Sequence, residues 1–383
     1  MSAHEQDGTE AVGGSGSAPE SGKQNRSLPR LPKLPRTARR GTGPSNLAPE
    51  VAHTAARVED GFHSWARGRA YKSGWQRTVI AYDSYGSESS MRVLARMVLT
   101  KDGQPAADRE ASIRGWRSFV NVPLAEETAW VRVNGVEHMV TSDRGGVIDA
   151  VIPGDFRPGH IDFQMWTEGS KIDTATATIV GSEQRFGIVS DVDDTVMVTH
   201  LPRPMLAAWN SFILSEHARS AVAGMSVLYD RLIYMRPNSP MFYLSTGAWN
   251  VAPTLKRFLS RNLYPAGPLL LTDWGPTNTR MFRSGVEHKR NSLERLAREF
   301  PHMKWLLVGD NGQHDEEIYA EFAENHPQNV AAVAIRELTP SEAVWVGGVS
   351  KFEGRGAGVP WVYAPDGAGL ASKLTERGII SGI

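Results

Sequence analysis

The chain has 383 residues, 40% of them hydrophobic, which is enough for two domains with sizeable cores. It carries 42 basic and 42 acidic residues, so no global field steers it to nucleic acid. It has no cysteine, which excludes disulfides, thiolate zinc sites and thiol catalysis and suits a reducing cytoplasm. No apolar run approaches the roughly 18 residues of a membrane span, and Met1 to Asp7 holds no apolar core of a secretion signal. The expectation is a soluble, cytoplasmic protein whose membrane contact, if it has one, is peripheral, at the inner membrane surface.

Residues 1–50 are rich in Gly, Ser, Pro and Ala without apolar periodicity, a composition that predicts a disordered tail. Within it Arg26, Arg30, Lys33, Arg36, Arg39 and Arg40 follow one another with no acid between them. Such a run is either a solvated linker or a polybasic segment drawn to anionic headgroups, at about 1 kcal/mol per basic residue. Pro29, Pro32 and Pro35 keep it extended rather than helical.

Residues 76–182 have period two. Met91, Val93, Ala95, Met97 and Leu99 alternate with Arg92, Leu94, Arg96 and Val98, and Ile161, Phe163 and Met165 repeat the pattern, as does Thr174 to Thr178. Turn signals at Lys101-Asp102-Gly103, Asp143 to Gly146 and Pro153-Gly154-Asp155 separate the runs. Short strands at this spacing predict a small antiparallel β-sandwich domain, with no catalytic constellation in it.

Residues 183–383 change character. Apolar runs at Phe186–Val189, Met241–Leu244, Pro268–Leu271, Lys304–Val308 and Val330–Ile335 alternate with helical stretches. The helices are predicted near Pro204–Leu214, Ser220–Leu232, Pro253–Asn262, Lys289–Glu299 and Glu316–Asn325, with one more at Gly369–Arg377. Strand–helix alternation with buried strands predicts an α/β domain, a doubly wound parallel sheet.

The chemistry gathers where those strands end. Asp191-Val192-Asp193-Asp194-Thr195 follows the first run, and residues i and i+2 of an extended chain point the same way. Asp191 and Asp193 can therefore project into one cleft, the first as nucleophile or metal ligand and the second as proton donor. Ser245-Thr246-Gly247 follows the second run, and a hydroxyl with exposed N–H groups suits a phosphate oxygen as well as a plain turn. His288-Lys289-Arg290-Asn291 is read as a helix opening. A lysine near the positive end of the dipole gains nothing from that position, so it is either a solvated surface lysine or one that meets an anion. Last, Trp305 to Val308 runs into Gly309-Asp310, with Asp315 five residues on as a helix N-cap, a metal support, or both.

Acid pair, hydroxyl, lysine and acid pair, in that order over about 185–340, resemble the four motifs of the haloacid dehalogenase superfamily. Asp-x-Asp-Asp-Thr, Tyr243-Leu244-Ser245-Thr246-Gly247, His288-Lys289-Arg290 and Gly309 to Tyr319 are similar, more closely, to the actin-patch-protein phosphatidate phosphatase family. Its catalytic region resembles that of the lipins. Ala248 stands where that pattern leads one to expect a proline. The resemblance implies a HAD-like Rossmannoid fold with Asp191 as nucleophile and Asp193 as general acid, then base. Ser245, Thr246 and Lys289 would hold the phosphoryl group. Asp191, Asp193, Asp310 and Asp315 would lie at a Mg2+ site, and Thr195 would steady the nucleophile loop.

The function expected is Mg2+-dependent hydrolysis of a phosphomonoester, phosphatidate to diacylglycerol, through an aspartyl-phosphate. A soluble phosphomonoester is the alternative substrate, and the alternative of another class is a non-catalytic, membrane-associated binding protein. The 11 tryptophans, Trp209 among them, serve either the core or an interfacial surface.

Overall fold

The structure is a computed structural model and describes residues 67–101, 103, 122–198, 220–272, 278–312, 314–340, 342–343 and 358–380. The 1–50 tail with its basic run, the predicted helix at 204–214 and Trp209 lie outside the described residues. The protein is mixed α/β, built on two large sheets.

The N-terminal sheet has nine strands. Its path runs Gln76–Ala81, Ser90–Thr100, Ser84–Ser87, Asp173–Val180, Gly159–Trp166, Thr128–Val133, Val136–Thr141, with Val122–Pro123 and Val147–Pro153 both pairing onto Ser90–Thr100. Every pairing is antiparallel except that of Ser84–Ser87 with Asp173–Val180. The sequence pattern is read out along Ser90–Thr100. Met91, Val93, Ala95, Met97 and Leu99 face a core made within this sheet, with Val131, Phe163, Met165 and Ile179. The alternate residues Leu94 and Val98 do not face water: they join a second core together with the C-terminal sheet.

The C-terminal sheet has six parallel strands, in the order Leu269–Thr272, Met241–Ala248, Phe186–Asp191, Lys304–Asp310, Val330–Arg336, Trp361–Ala364. The strand Phe186–Asp191 is buried along its whole length, which is why it reads as a run rather than an alternation. From this strand the chain first builds outward on one side and then crosses to build on the other. The strand order therefore reverses at Phe186–Asp191, where ligands collect beyond the carboxyl ends. Helices Met225–Met235, Ala252–Arg261, Asn278–Glu299, Asp315–Asn325 and Gly367–Glu376 follow in sequence, the last capped by Asp366, whose Oδ1 accepts from Gly369 N–H at 2.8 Å.

One expectation is corrected here. The helix expected to open at Lys289 begins eleven residues earlier, at Asn278, so Lys289 lies in its interior and no helix dipole end bears on it. Gly285, which weakens the local helix signal, is a close-packing point: a Cβ there would sit 3.0 Å from Thr246 Cγ2. The strand Trp361–Ala364 and the short pair Met197–Val198 with Ser220–Ala221 were not visible in the pattern.

The two sheets meet on an aromatic seam. Tyr85, wholly buried, packs edge-on against Phe242 at 5.0 Å and lies 6.1 Å from Phe300. Phe242 meets Trp305 at 5.6 Å in turn. Around it Arg92 pairs with Asp149 and with Glu299 (2.5 Å), and Arg295 with Asp149 (2.8 Å). Tyr82 stacks on Trp249 at 4.7 Å and donates its hydroxyl to the Trp249 carbonyl at 3.1 Å.

Candidate active site

Parallel register brings the motif residues together. Asp191 ends the central strand opposite Leu244, which puts Ser245 just beyond it. On the other side Ser190 pairs with Val308, so Asp310 rises one step further. Asp191, Asp193, Ser245, Lys289, Asp310 and Asp315 are all buried. Ionisable groups are buried in this number only where something compensates them.

Part of the compensation is Lys289. Its Nζ donates to Asp191 Oδ1 at 2.6 Å and to Asp315 Oδ1 at 2.5 Å. Burial pulls its pKa down, but the two carboxylates outweigh burial and leave it raised, so the ammonium is held charged. His288 beside it takes the opposite course. Burial lowers its pKa to about 4, and the neutral ring meets the Leu270 carbonyl at 3.2 Å.

One ammonium does not balance three acids. Asp191, Asp310 and Asp315 each bring an oxygen within 4.8 Å of the others. Burial first, and the neighbouring acids after it, push the Asp191 pKa well above the carboxylate range despite Lys289. Burial, then Asp315 and Asp194, do the same to Asp310. Asp310 Oδ1 accepts from Gly312 N–H at 2.6 Å, but Asp310 Oδ2 and Asp191 Oδ2 are buried with no hydrogen-bond partner among the described residues. Buried carboxylate oxygens left this way point to a cation. An all-oxygen donor set fits a small hard divalent ion. Gly309 makes the approach possible, because a Cβ there would lie 2.6 Å from Asp315 Oδ2.

Asp315 is the first residue of its helix and caps nothing, since the N-cap is His314. Its oxygens go instead to Lys289 and, at 3.4 Å, to the Asp310 N–H. Asp193 stands apart from the converging three: its Oδ2 accepts from Ser245 Oγ at 3.1 Å. Ser245 Oγ also accepts from Gly247 N–H at 3.0 Å, which folds the Ser-Thr-Gly turn over the acid. The Thr246 side chain lies against Gly285 of the Lys289 helix, and its carbonyl accepts from Thr272 Oγ1 at 3.1 Å. Thr195 is buried, and its hydroxyl meets no partner among the described residues.

Sequence reasoning missed Arg336 and Tyr264. Arg336 Nη1 donates to the Asp194 carbonyl at 2.8 Å and Tyr264 Oη to the Val196 carbonyl at 2.8 Å, both on the loop that carries Asp193. The signal for Arg336 was present. It is a charge ending an apolar strand, as Asp191 and Asp310 are.

Buried acids and a lysine gathered at the carboxyl ends of parallel strands, around the strand where the order reverses, define an α/β domain with a catalytic-type site. The comparisons are more particular. Residues 186–337 match the profile described as "Phosphatidate phosphatase APP1, catalytic domain". Phosphatidate phosphatase APP1 of Saccharomyces cerevisiae is 26% identical over 202 residues, which is 51% of this chain and 34% of that protein. An uncharacterized protein of Schizosaccharomyces pombe is 25% identical over 200 residues, 50% of this chain and 33% of its own. The chain thus spans about a third of the length of these curated relatives. Likeness to solved structures is slight. A carbohydrate acetylesterase from Xanthomonas citri covers 81% of this chain and 76% of its own at 9% identity, with a TM-score of 0.29 that carries no argument. Among the described residues no helix is long and apolar enough to cross a membrane.

Proposed function

We propose that the chain is a phosphatase that cleaves phosphomonoesters, phosphatidate first among them, by way of an aspartyl-phosphate on Asp191. In this reading 183–383 is a doubly wound, haloacid-dehalogenase-like catalytic domain and 76–182 a β-sandwich-like domain ahead of it. The observation that carries the reading is the buried pair of oxygens without a partner among the described residues, Asp191 Oδ2 and Asp310 Oδ2, beside the Lys289 ammonium. The lipid substrate is supported by the matched family's printed description and by the yeast relative's name. The enzyme acts in the cytoplasm, with peripheral contact at the inner membrane surface.

A carboxylate oxygen of Asp191, whose Oδ1 is oriented by Lys289, attacks phosphorus as the bond from phosphorus to the ester oxygen breaks and that oxygen departs with the electron pair. Asp193 donates its proton to that oxygen, so the alcohol leaves neutral. The same carboxylate then takes a proton from the water that splits the Asp191 acyl-phosphate, releasing inorganic phosphate and restoring Asp191. The Ser245 hydroxyl, which donates to Asp193 Oδ2, exchanges that acceptor for a phosphoryl oxygen when substrate enters. Lys289 keeps its charge and meets the equatorial oxygens where negative charge gathers. A Mg2+ ion held by Asp191, Asp310 and Asp315 would supply the positive charge that lets a carboxylate approach a phosphate dianion.

The test is phosphate release from phosphatidate in vesicles and from soluble monoesters, with and without a Mg2+ chelator. The expected result is release that the chelator abolishes and that Asp191→Asn reduces below detection. Asp191→Asn activity within about tenfold of wild type, some 1.4 kcal/mol of barrier, removes Asp191 from the nucleophile's role. Preference for a soluble ester over phosphatidate in vesicles overturns the lipid assignment alone.

A further inference from the structure

The loop that carries Asp193 is shaped for something. After Asp191 the backbone closes on itself, with Val196 N–H and Met197 N–H both donating to the Val192 carbonyl at 3.1 and 3.2 Å and Asp194 N–H to the Met197 carbonyl at 2.8 Å. The closure places Asp194 in the left-handed region, φ 57°, a conformation a non-glycine residue adopts at a cost. Such a loop persists only when its surroundings hold it. Among the described residues Tyr264 and Arg336 help to do so, each through a main-chain carbonyl: Tyr264 at Val196 and Arg336 at Asp194, the residue next to Asp193.

Arg336 is built for the task. It ends the strand next to the Asp310 strand, with Asp310 as its register partner, and is buried. Its Nε donates to the Pro365 carbonyl at 3.2 Å and its Nη2 to Glu342 Oε1 at 2.6 Å, so the planar guanidinium is fixed on three sides. Glu342 is itself oriented, its Oε2 accepting from Thr339 N–H and Thr339 Oγ1 at 2.9 Å each. All of this rigidity ends on one carbonyl beside the acid. None of it is directed at the Asp191–Asp310–Asp315 cluster.

We infer that Arg336 is a positioning residue for proton transfer, holding Asp193 through the Asp194 carbonyl so that its carboxyl meets the leaving oxygen and Ser245. The inference rests on the phosphatase reading above. A misplaced general acid slows departure of a poor leaving group and matters little for a good one, whereas general damage to the site slows both. Arg336→Gln and Glu342→Gln are to be assayed on an alkyl phosphate and on p-nitrophenyl phosphate, alone and combined with Asp193→Asn. For Arg336→Gln kcat on the alkyl ester falls about 10- to 100-fold, with KM within about threefold, and kcat on the aryl ester falls less than about threefold. Glu342→Gln shows the same selective loss to a smaller degree, and it decides the matter if Arg336→Gln does not fold. With Asp193→Asn already present, neither change costs the alkyl ester anything more. Equal losses on both esters, or losses that add to that of Asp193→Asn, overturn the inference while the phosphatase reading stands. A wild-type protein that releases phosphate from neither ester nor from phosphatidate in vesicles overturns both.

Discussion

Asp310→Asn should stabilise the metal-free protein while it abolishes turnover. Asp191, Asp310 and Asp315 converge within 4.8 Å, with one ammonium among them. At an effective dielectric constant of about 20, like charges at that distance repel by about 3.5 kcal/mol per pair. Asp310 enters two such repulsions and one attraction of similar size to Lys289, so removing its charge relieves roughly 3 kcal/mol. Proton uptake by the wild-type acid, whose pKa burial and Asp315 raise, trims the relief to about 1–3 kcal/mol. At about 2–4 °C per kcal/mol, the variant melts roughly 3–10 °C above wild type in chelator. Asparagine keeps the Oδ1 acceptor for Gly312 N–H, so the turn survives. A raised folded pKa means that wild type loses stability as pH rises from the unfolded carboxyl range towards the folded value, so the gap widens with rising pH above that unfolded range. Thermal melts in chelator and in millimolar Mg2+ decide the question. Mg2+ should raise wild type and leave the variant unmoved. A variant that melts at or below wild type in chelator refutes the electrostatic account.

Three further outcomes are expected. Asp193→Asn slows alkyl phosphates by roughly 10²–10⁴-fold and activated aryl phosphates far less, and equal losses would deny it the proton donor's role. Tyr85→Phe adds about 1 kcal/mol in urea melts, because the Tyr85 hydroxyl is buried with no partner among the described residues, whereas Tyr85→Ala costs about 3–5 kcal/mol; a loss on Phe would contradict this. Removing residues 1–50 leaves hydrolysis of soluble esters unchanged but weakens binding to anionic vesicles. That binding should fall steeply with salt, given a Debye length of about 8 Å, and equal co-sedimentation of both forms would deny the tail a lipid role.

What could be read in the sequence was what local pattern encodes. The buried strands announced themselves as apolar runs, and Asp191 and Asp310 stood out because each ends one. The path of the N-terminal sheet was hidden, because pairing partners such as Ser84–Ser87 and Asp173–Val180 lie far apart in the chain. The place of Lys289 within its helix was hidden by Gly285, whose reason is the tertiary approach of Thr246. Asp315 resembled a cap because capping and metal support ask for the same residue, and only the contact with Lys289 distinguishes them. Arg336 acts on a backbone carbonyl, which no side-chain motif records.

The aromatic seam between the sheets has a consequence for how the molecule comes apart. All described residues fall in one compact unit, and Tyr85, Leu94, Val98 and Val147 of one sheet share a core with Phe242 and Trp305 of the other and with Phe300 just past the helix Asn278–Glu299. Melting either sheet strips the other of that cover, and the helix carrying Lys289 also loses the ion pairs that Arg92 and Asp149 make with Glu299 and Arg295. The change in strand direction near residue 183 is therefore a boundary of topology and not of cooperativity. Heat should take both sheets in a single transition, and an amide exchange experiment should find no state in which the N-terminal sheet has opened while the C-terminal sheet keeps its protection.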